Sequence, residues 1–139
     1  MLRIPLIAAV AAVSVLPVSA IADDSRTITI HIINKTPWKL SNLVMERHQT
    51  SVKEYSSTIP SGQTGQIEFH YNMHKANHPK MYASYTADNA NTESVTFNWE
   101  AKNSTFSWSY DCSITKPSDM TGSHNDCSDH DPHYTLNAD

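Results

Sequence analysis

Glycine is nearly missing from this chain, three residues in 139, and basic residues are outnumbered, ten Lys and Arg against 14 Asp and Glu. No glycine-rich phosphate loop, Gly-x-Ser-x-Gly elbow or His-Glu-x-x-His helix is present, so the commonest nucleotide, hydrolase and metalloprotease sites lack their carriers. Without a basic stripe the phosphates of a nucleic acid have nothing to bind, and an anionic membrane surface is disfavoured for the same reason. Beyond residue 22 no apolar run approaches the roughly 20 residues of a membrane span. A 3.6-residue apolar period over three turns is also missing, so helix is a minor component. There are no internal repeats.

What the chain does have begins with a leader. Arg3 precedes an apolar run over residues 4–18 and a small-residue cleavage site, the pattern of a secretory signal peptide over residues 1–22. Two cleavage frames compete, Val18-Ser19-Ala20 and Ala20-Ile21-Ala22; the second is favoured because Asp23 and Asp24 follow it. Removing 22 of 139 residues leaves 117, one domain with one core, and nine basic against 14 acidic residues give a net charge of −5. Export, to the outside or to a periplasm, makes a disulfide the default reading of the only two cysteines, Cys112 and Cys127.

Period-two alternation runs through the mature chain. Ile28, Ile30 and Ile32 oppose Thr27, Thr29 and His31, and Asn34-Lys35-Thr36-Pro37 breaks that strand. Trp38 and Leu40, then Leu43-Val44-Met45, read as a second strand with a bulge, followed by a polar loop over residues 47–58. Pro60-Ser61-Gly62 turns into a strand carrying Ile67, Phe69 and Tyr71; Met81, Ala83 and Tyr85 mark another. Val95, Phe97 and Trp99 face one way, residues 101–104 turn the chain, and Phe106, Trp108 and Tyr110 face one way on the return. Such a hairpin fills an interior, so most of these aromatics are expected in a core. The fold class is therefore all-β: a single antiparallel β-sandwich over residues 23–115. The Ser-, Asp- and His-rich segment 116–139 is expected to be a poorly ordered polar tail anchored by Cys112–Cys127.

Taken in order, the strand ending in Asn34-x-Thr36, the Ile59-Pro60-Ser61-Gly62 opening, Tyr85 with its Asp88-Asn89 turn, and the pattern V-T-F-x-W…N-S-T-F-S-W over residues 95–108 resemble the aegerolysin family. More loosely, they resemble the wider actinoporin-like group of membrane-interacting β-sandwiches. The resemblance spans about residues 26–111. It implies a small acidic sandwich that recognises a membrane lipid, often a sphingolipid, in some members together with a larger pore-forming partner. Aromatic side chains at one end of the sandwich would make the contact. The candidate lipid-binding residues are Trp38, Trp99, Trp108 and Tyr110. Trp38 leads, since it follows Pro37 at a strand–loop junction where an interfacial indole fits.

Two His-rich clusters offer a different chemistry. His70, Met73, His74, His78 and Met81 mix imidazole and thioether, a set suited to copper or, through the histidines, zinc. His74 and His78 converge only if their connection curls, because on an extended strand they stand ~13 Å apart. His124, His130 and His133 lie among Asp126, Asp129 and Asp131 around Cys127, a second set for a divalent metal. Glycan stacking on Trp or Tyr is a further use of such a sandwich. Catalysis has only Glu68 with His70 or Glu46 with His48 as acid–base pairs, so the chain is read as no enzyme and as needing no cofactor apart from that alternative copper or zinc.

Overall fold

The computed structural model describes residues 25–127 and 130–139, so the signal peptide expected over residues 1–22 lies outside the described residues. Nine strands follow in order: β1 (Ser25–Lys35), β2 (Leu40–His48), β3 (Ser51–Tyr55), β4 (Thr64–Asn72), β5 (Lys80–Ala87), β6 (Ser94–Asn103), β7 (Trp108–Thr115), β8 (Met120–His124) and β9 (His133–Ala138). Among the described residues there is no helix. The strands form two sheets, β3-β4-β1-β9-β8 and β2-β5-β6-β7, which face each other as a sandwich. The all-β fold class is as the alternation required.

The dry layer between the sheets is built by that alternation. From the first sheet Ile28, Ile30, Ile32, Ile67, Phe69 and Tyr71 point inward; from the second, Met81, Ala83, Tyr85, Val95, Phe97 and Trp99 meet them, all essentially solvent-free. Three buried tyrosines keep a polar handle. Tyr85 donates its hydroxyl to the Ser56 carbonyl at 2.6 Å, Tyr134 donates to the Asn98 carbonyl at 2.5 Å, and the Tyr71 and Tyr110 hydroxyls lie 3.4 Å apart. Each of these tyrosines thus contributes area without stranding its polar atom. Asn42, with φ of 53°, sits in the bulge between Ser41 and Val44 where β2 shifts register on β5, as the interrupted pattern anticipated.

One buried polar residue closes the β1–β2 end. The Asn34 side chain is fully buried; its amide donates to the carbonyls of Trp38 (2.8 Å), Ile59 (3.1 Å) and Pro60 (3.2 Å). Its oxygen accepts from Thr36 Oγ1 at 2.6 Å and from the Thr36 backbone N–H at 3.1 Å. Gly62, at φ of 76°, completes the adjoining turn, and its N–H donates to the Asn34 carbonyl at 2.8 Å.

Three sequence expectations are corrected. The polar loop over residues 47–58 contains β3, an edge strand on β4 whose side chains are mostly exposed and so carry little alternation. The hairpin turn falls at residues 104–107 instead of 101–104, because buried Ala101 continues the inward face of β6 and Asn103 pairs with Trp108. The sandwich does not stop at residue 115. The segment 116–139, expected as a poorly ordered tail, supplies β8 and β9. Here β9 inserts beside β1 in parallel, which makes the first sheet mixed, and Met120, Tyr134 and Leu136 are fully buried. Low overall apolar content concealed two inward residues at the period-two spacing. The disulfide Cys112–Cys127 is present and ties β7 of the second sheet to the connection between β8 and β9 of the first.

Leu136→Ala is expected to lower unfolding stability in urea by about 2–5 kcal/mol, as for a buried leucine. Exposed Thr121→Ala should stay within about 0.5 kcal/mol. Equal, negligible effects from both would remove the C-terminal strands from the core.

Candidate functional site

The sandwich has two dissimilar ends and an unusual cluster on one outer face. At the first end, β1 finishes and Trp38 follows, half-buried, its backbone carbonyl held by Asn34 and by Thr36 Oγ1 at 3.1 Å. At the other end β1 begins beside Asn72, and β6 finishes against the connection from β4 to β5. The N–H groups of Ala101 and Asn103 donate to the carbonyls of Pro79 (3.0 Å) and Asn77 (2.9 Å).

That second end carries an aromatic stack. Trp99 meets Phe69 edge-on with centroids 4.9 Å apart and lies 5.7 Å from Tyr71. Trp108 lies 5.3 Å from Tyr71, and Tyr110 6.3 Å from Trp99. Above them Phe106 stands at the tip of the β6–β7 turn, 97% exposed. The turn beneath it is closed by the Ser104 N–H donating to the Ser107 carbonyl at 2.8 Å. Below the stack, Trp99 Nε1 is the one buried side-chain donor without a partner among the described residues. Burial unpaired costs an N–H on the order of 1–3 kcal/mol, which the ring contacts offset.

The four residues proposed as lipid contacts therefore do not share a surface. Trp99 is a core residue, 0% exposed, and is corrected from contact to packing. Trp38 stands at the opposite end from Trp108 and Tyr110, which remain together, half-buried. Phe106 was missed as a contact because alternation assigned it to the inward face of a strand. The signal against that was local: Asn103, Ser104, Thr105 and Ser107 flank it with turn-forming side chains.

The first histidine cluster also disperses. His70 lies on the outer face of β4, His74 is exposed in the connection, and the His78 ring Nε2 stands 3.2 Å from Glu100 Oε2 on β6 of the other sheet. Met81 is corrected from ligand to core, its side chain solvent-free; Met73 Sδ accepts from Arg26 Nε (3.3 Å) and Nη2 (3.2 Å). In the second cluster, His130 Nε2 faces Arg26 Nη1 at 3.0 Å, and His124 Nδ1 donates to the Asn125 carbonyl at 2.8 Å. Of that cluster's described histidines, His133 joins a convergent group. It does so with Asp131 and with His31 of β1, whose partnership no sequence spacing revealed because it depends on the parallel β1–β9 register, His31 beside His133. Of the two acid–base pairs, Glu68 faces Lys53 at 3.8 Å, and Glu46 and His48 line one groove together with Arg47, Lys80 and Tyr82.

The outer face of the second sheet holds a polar groove of about 250 Å³ lined by Tyr82, Asn98, Glu100, Asp111 and Ser113. Partial burial, then the charge of Glu100, raises the Tyr82 phenol above its ordinary range.

The chain matches no protein-family model and no curated protein. The class defined by fold and geometry is a two-sheet β-sandwich with a disulfide, the bond of an oxidising compartment.

Acrylamide should quench Trp38 and Trp108 and leave Trp99 unquenched, measured in single-tryptophan variants; a readily quenched Trp99 would dismantle the aromatic stack. A second expectation concerns alkali. Burial holds the phenols of Tyr85 and Tyr134 above their ordinary value, aided at Tyr134 by Asp111; at Tyr71 burial comes first and Tyr110 adds to it. Unfolded tyrosines ionise near pH 10, so the unfolded chain releases protons that the folded chain keeps. This contribution to stability is full below about pH 10 and is lost as pH rises through the raised folded values. Urea midpoints should be level between pH 8 and 9.5 and fall steeply above; a flat profile to pH 11.5 would contradict the buried phenols.

Proposed function

We propose that this chain is an exported, non-enzymatic protein that binds a membrane-lipid surface through the β6–β7 end of its sandwich. One observation carries the reading: the phenyl ring of Phe106 is 97% exposed at the tip of a short, hydrogen-bonded turn that leads into half-buried Trp108 and Tyr110. A ring held out in water by a hairpin turn contributes nothing to the core. Placed in hydrocarbon it gains the burial that folding did not give it, on the order of 1.5–3 kcal/mol. The half-buried indole and phenol beneath it stand where aromatic side chains favour the headgroup layer.

The charge of the chain narrows the target. A net −5 repels an anionic leaflet, so a neutral or zwitterionic lipid fits better. The resemblance to aegerolysins adds the sphingolipid class to that choice, and a larger pore-forming protein as a further partner. Trp38, at the far end, cannot reach the same surface and has no part in this mode.

Flotation with vesicles of phosphatidylcholine, sphingomyelin and cholesterol should capture the protein, and phosphatidylserine should weaken capture. Phe106→Ala should reduce partitioning about 10- to 150-fold, the factor that corresponds to the burial energy above, with no change in the urea midpoint. Capture of the wild-type protein that is indifferent to Phe106→Ala, or no capture by any of these vesicles, would defeat the proposal.

A further inference from the structure

The cluster on the outer face of the first sheet is remote in chemistry from the aromatic end and needs its own account. We infer that His31, Asp131 and His133 form a binding site for a divalent transition-metal ion of the zinc and copper class. His31 faces outward on β1 because its neighbours Ile30 and Ile32 face inward. His133 opens β9, and the parallel register sets it beside His31 on the same face, the two rings stacked with centroids 4.5 Å apart and planes 13° off parallel. Asp131, two residues before His133, places Oδ1 against His31 Nε2. One donor atom from each residue lies within 4.8 Å of the other two.

The frame around these donors is preformed. The N–H groups of Thr29 and His31 donate to the carbonyls of His130 (3.1 Å) and Pro132 (2.9 Å), so the segment bearing Asp131 is bonded along β1 and does not hang from it. Asn125 grips His133 twice: its side-chain oxygen accepts the His133 N–H at 2.7 Å, and its own N–H donates to the His133 carbonyl at 3.1 Å. His133 Nδ1 lies 2.8 Å from the Asp131 carbonyl and donates to it, which leaves the Nε2 lone pair as the ligand. A ring nitrogen tied to a backbone carbonyl is the usual support of a metal-bound histidine.

The donor set selects the ion. Two imidazoles and one carboxylate suit zinc or copper, whereas calcium and magnesium take oxygen. With metal–ligand bonds of about 2.0–2.2 Å, tetrahedral donors stand roughly 3.3 Å apart, inside the present spread. Binding requires the stacked rings to tilt until their lone pairs converge, a rotation about χ2, the broad torsion of histidine. Side chains 24% (His31) and 52% (Asp131) exposed leave room for water in the remaining coordination positions.

Calorimetric titration of the purified protein with Zn²⁺ and with Cu²⁺ should show one equivalent bound, and Ca²⁺ and Mg²⁺ none. His31→Gln, Asp131→Asn and His133→Gln should each weaken binding at least tenfold, the scale on which even the supporting groups of a metal site act. The combined variant His70→Gln, His74→Gln, His78→Gln should bind as the wild type does. Imidazole C–H resonances of His31 and His133 should move on Zn²⁺ addition to the unmutated protein, a readout independent of any variant's folding. Absence of binding, or binding that survives Asp131→Asn and is lost in the His70, His74, His78 variant, or unmoved His31 and His133 resonances, would overturn the site.

Discussion

Strand β1 is flanked on both edges, by β4 antiparallel and by β9 parallel, and almost everything else is placed by that fact. A strand paired on both sides has its backbone fully spent in ladders, so its side chains alone distinguish the faces. Ile28, Ile30 and Ile32 go to the dry layer, and a one-residue slip would send Thr29 and His31 there instead. The cost of burying those polar groups is what locks the register. With the register locked, His31 must stand beside His133. Core and candidate metal site are thus two sides of one alternation.

The two ends of the sandwich solve the same problem by different means. Where β1 turns into β2, one buried amide, Asn34, ties together three backbone carbonyls, those of Trp38, Ile59 and Pro60. Asn34-Lys35-Thr36 also fits the Asn-x-Thr acceptor pattern of N-glycosylation, yet its asparagine is solvent-free and occupied internally. At the opposite end rings do the closing: Trp99, Tyr71, Trp108 and Tyr110 stack outward from the core towards the β6–β7 turn. A polar closure has no surplus to offer a ligand. An aromatic one does, because the outermost ring of a stack has a neighbour on one side only, and Phe106 at the turn has almost none.

Much of this was legible in the residues. The inward sets of β1, β4, β5 and β6 follow period two so strictly that their core roles could be read directly, and the pairing of the only two cysteines needed only counting. Three things were not legible. Edge strand β3 has little burial to impose alternation. Phe106 continues the spacing of Trp108 and Tyr110 yet lies past the point where pairing ends, and pairing is a property of two segments, invisible in either alone. His31 and His133 are separated by about a hundred positions, and only the parallel insertion of β9 makes them neighbours. Of the candidate histidines and methionines for a metal, His133 stayed with a ligand group; Met81 did not, since alternation had already committed it to the core.

The C-terminal segment also shows how a water-loving stretch earns a central place in a sheet. Its apolar contribution is small, chiefly Met120, Tyr134 and Leu136, and burial of three side chains at about 1.5–3 kcal/mol each does not by itself offset ordering two strands and their connection. Other restraints carry the difference. The disulfide removes loop entropy from the unfolded chain, the Thr29 and His31 N–H groups extend the ladder beyond β9, and Asn125 pins the strand's first residue. All of these act around residues 125–133, at the mouth of the candidate metal site. An ion bridging His31 to Asp131 and His133 would add one more link between β1 and that same connection, binding the folded form and not the unfolded one, and so would stabilise the insertion that creates its own ligands.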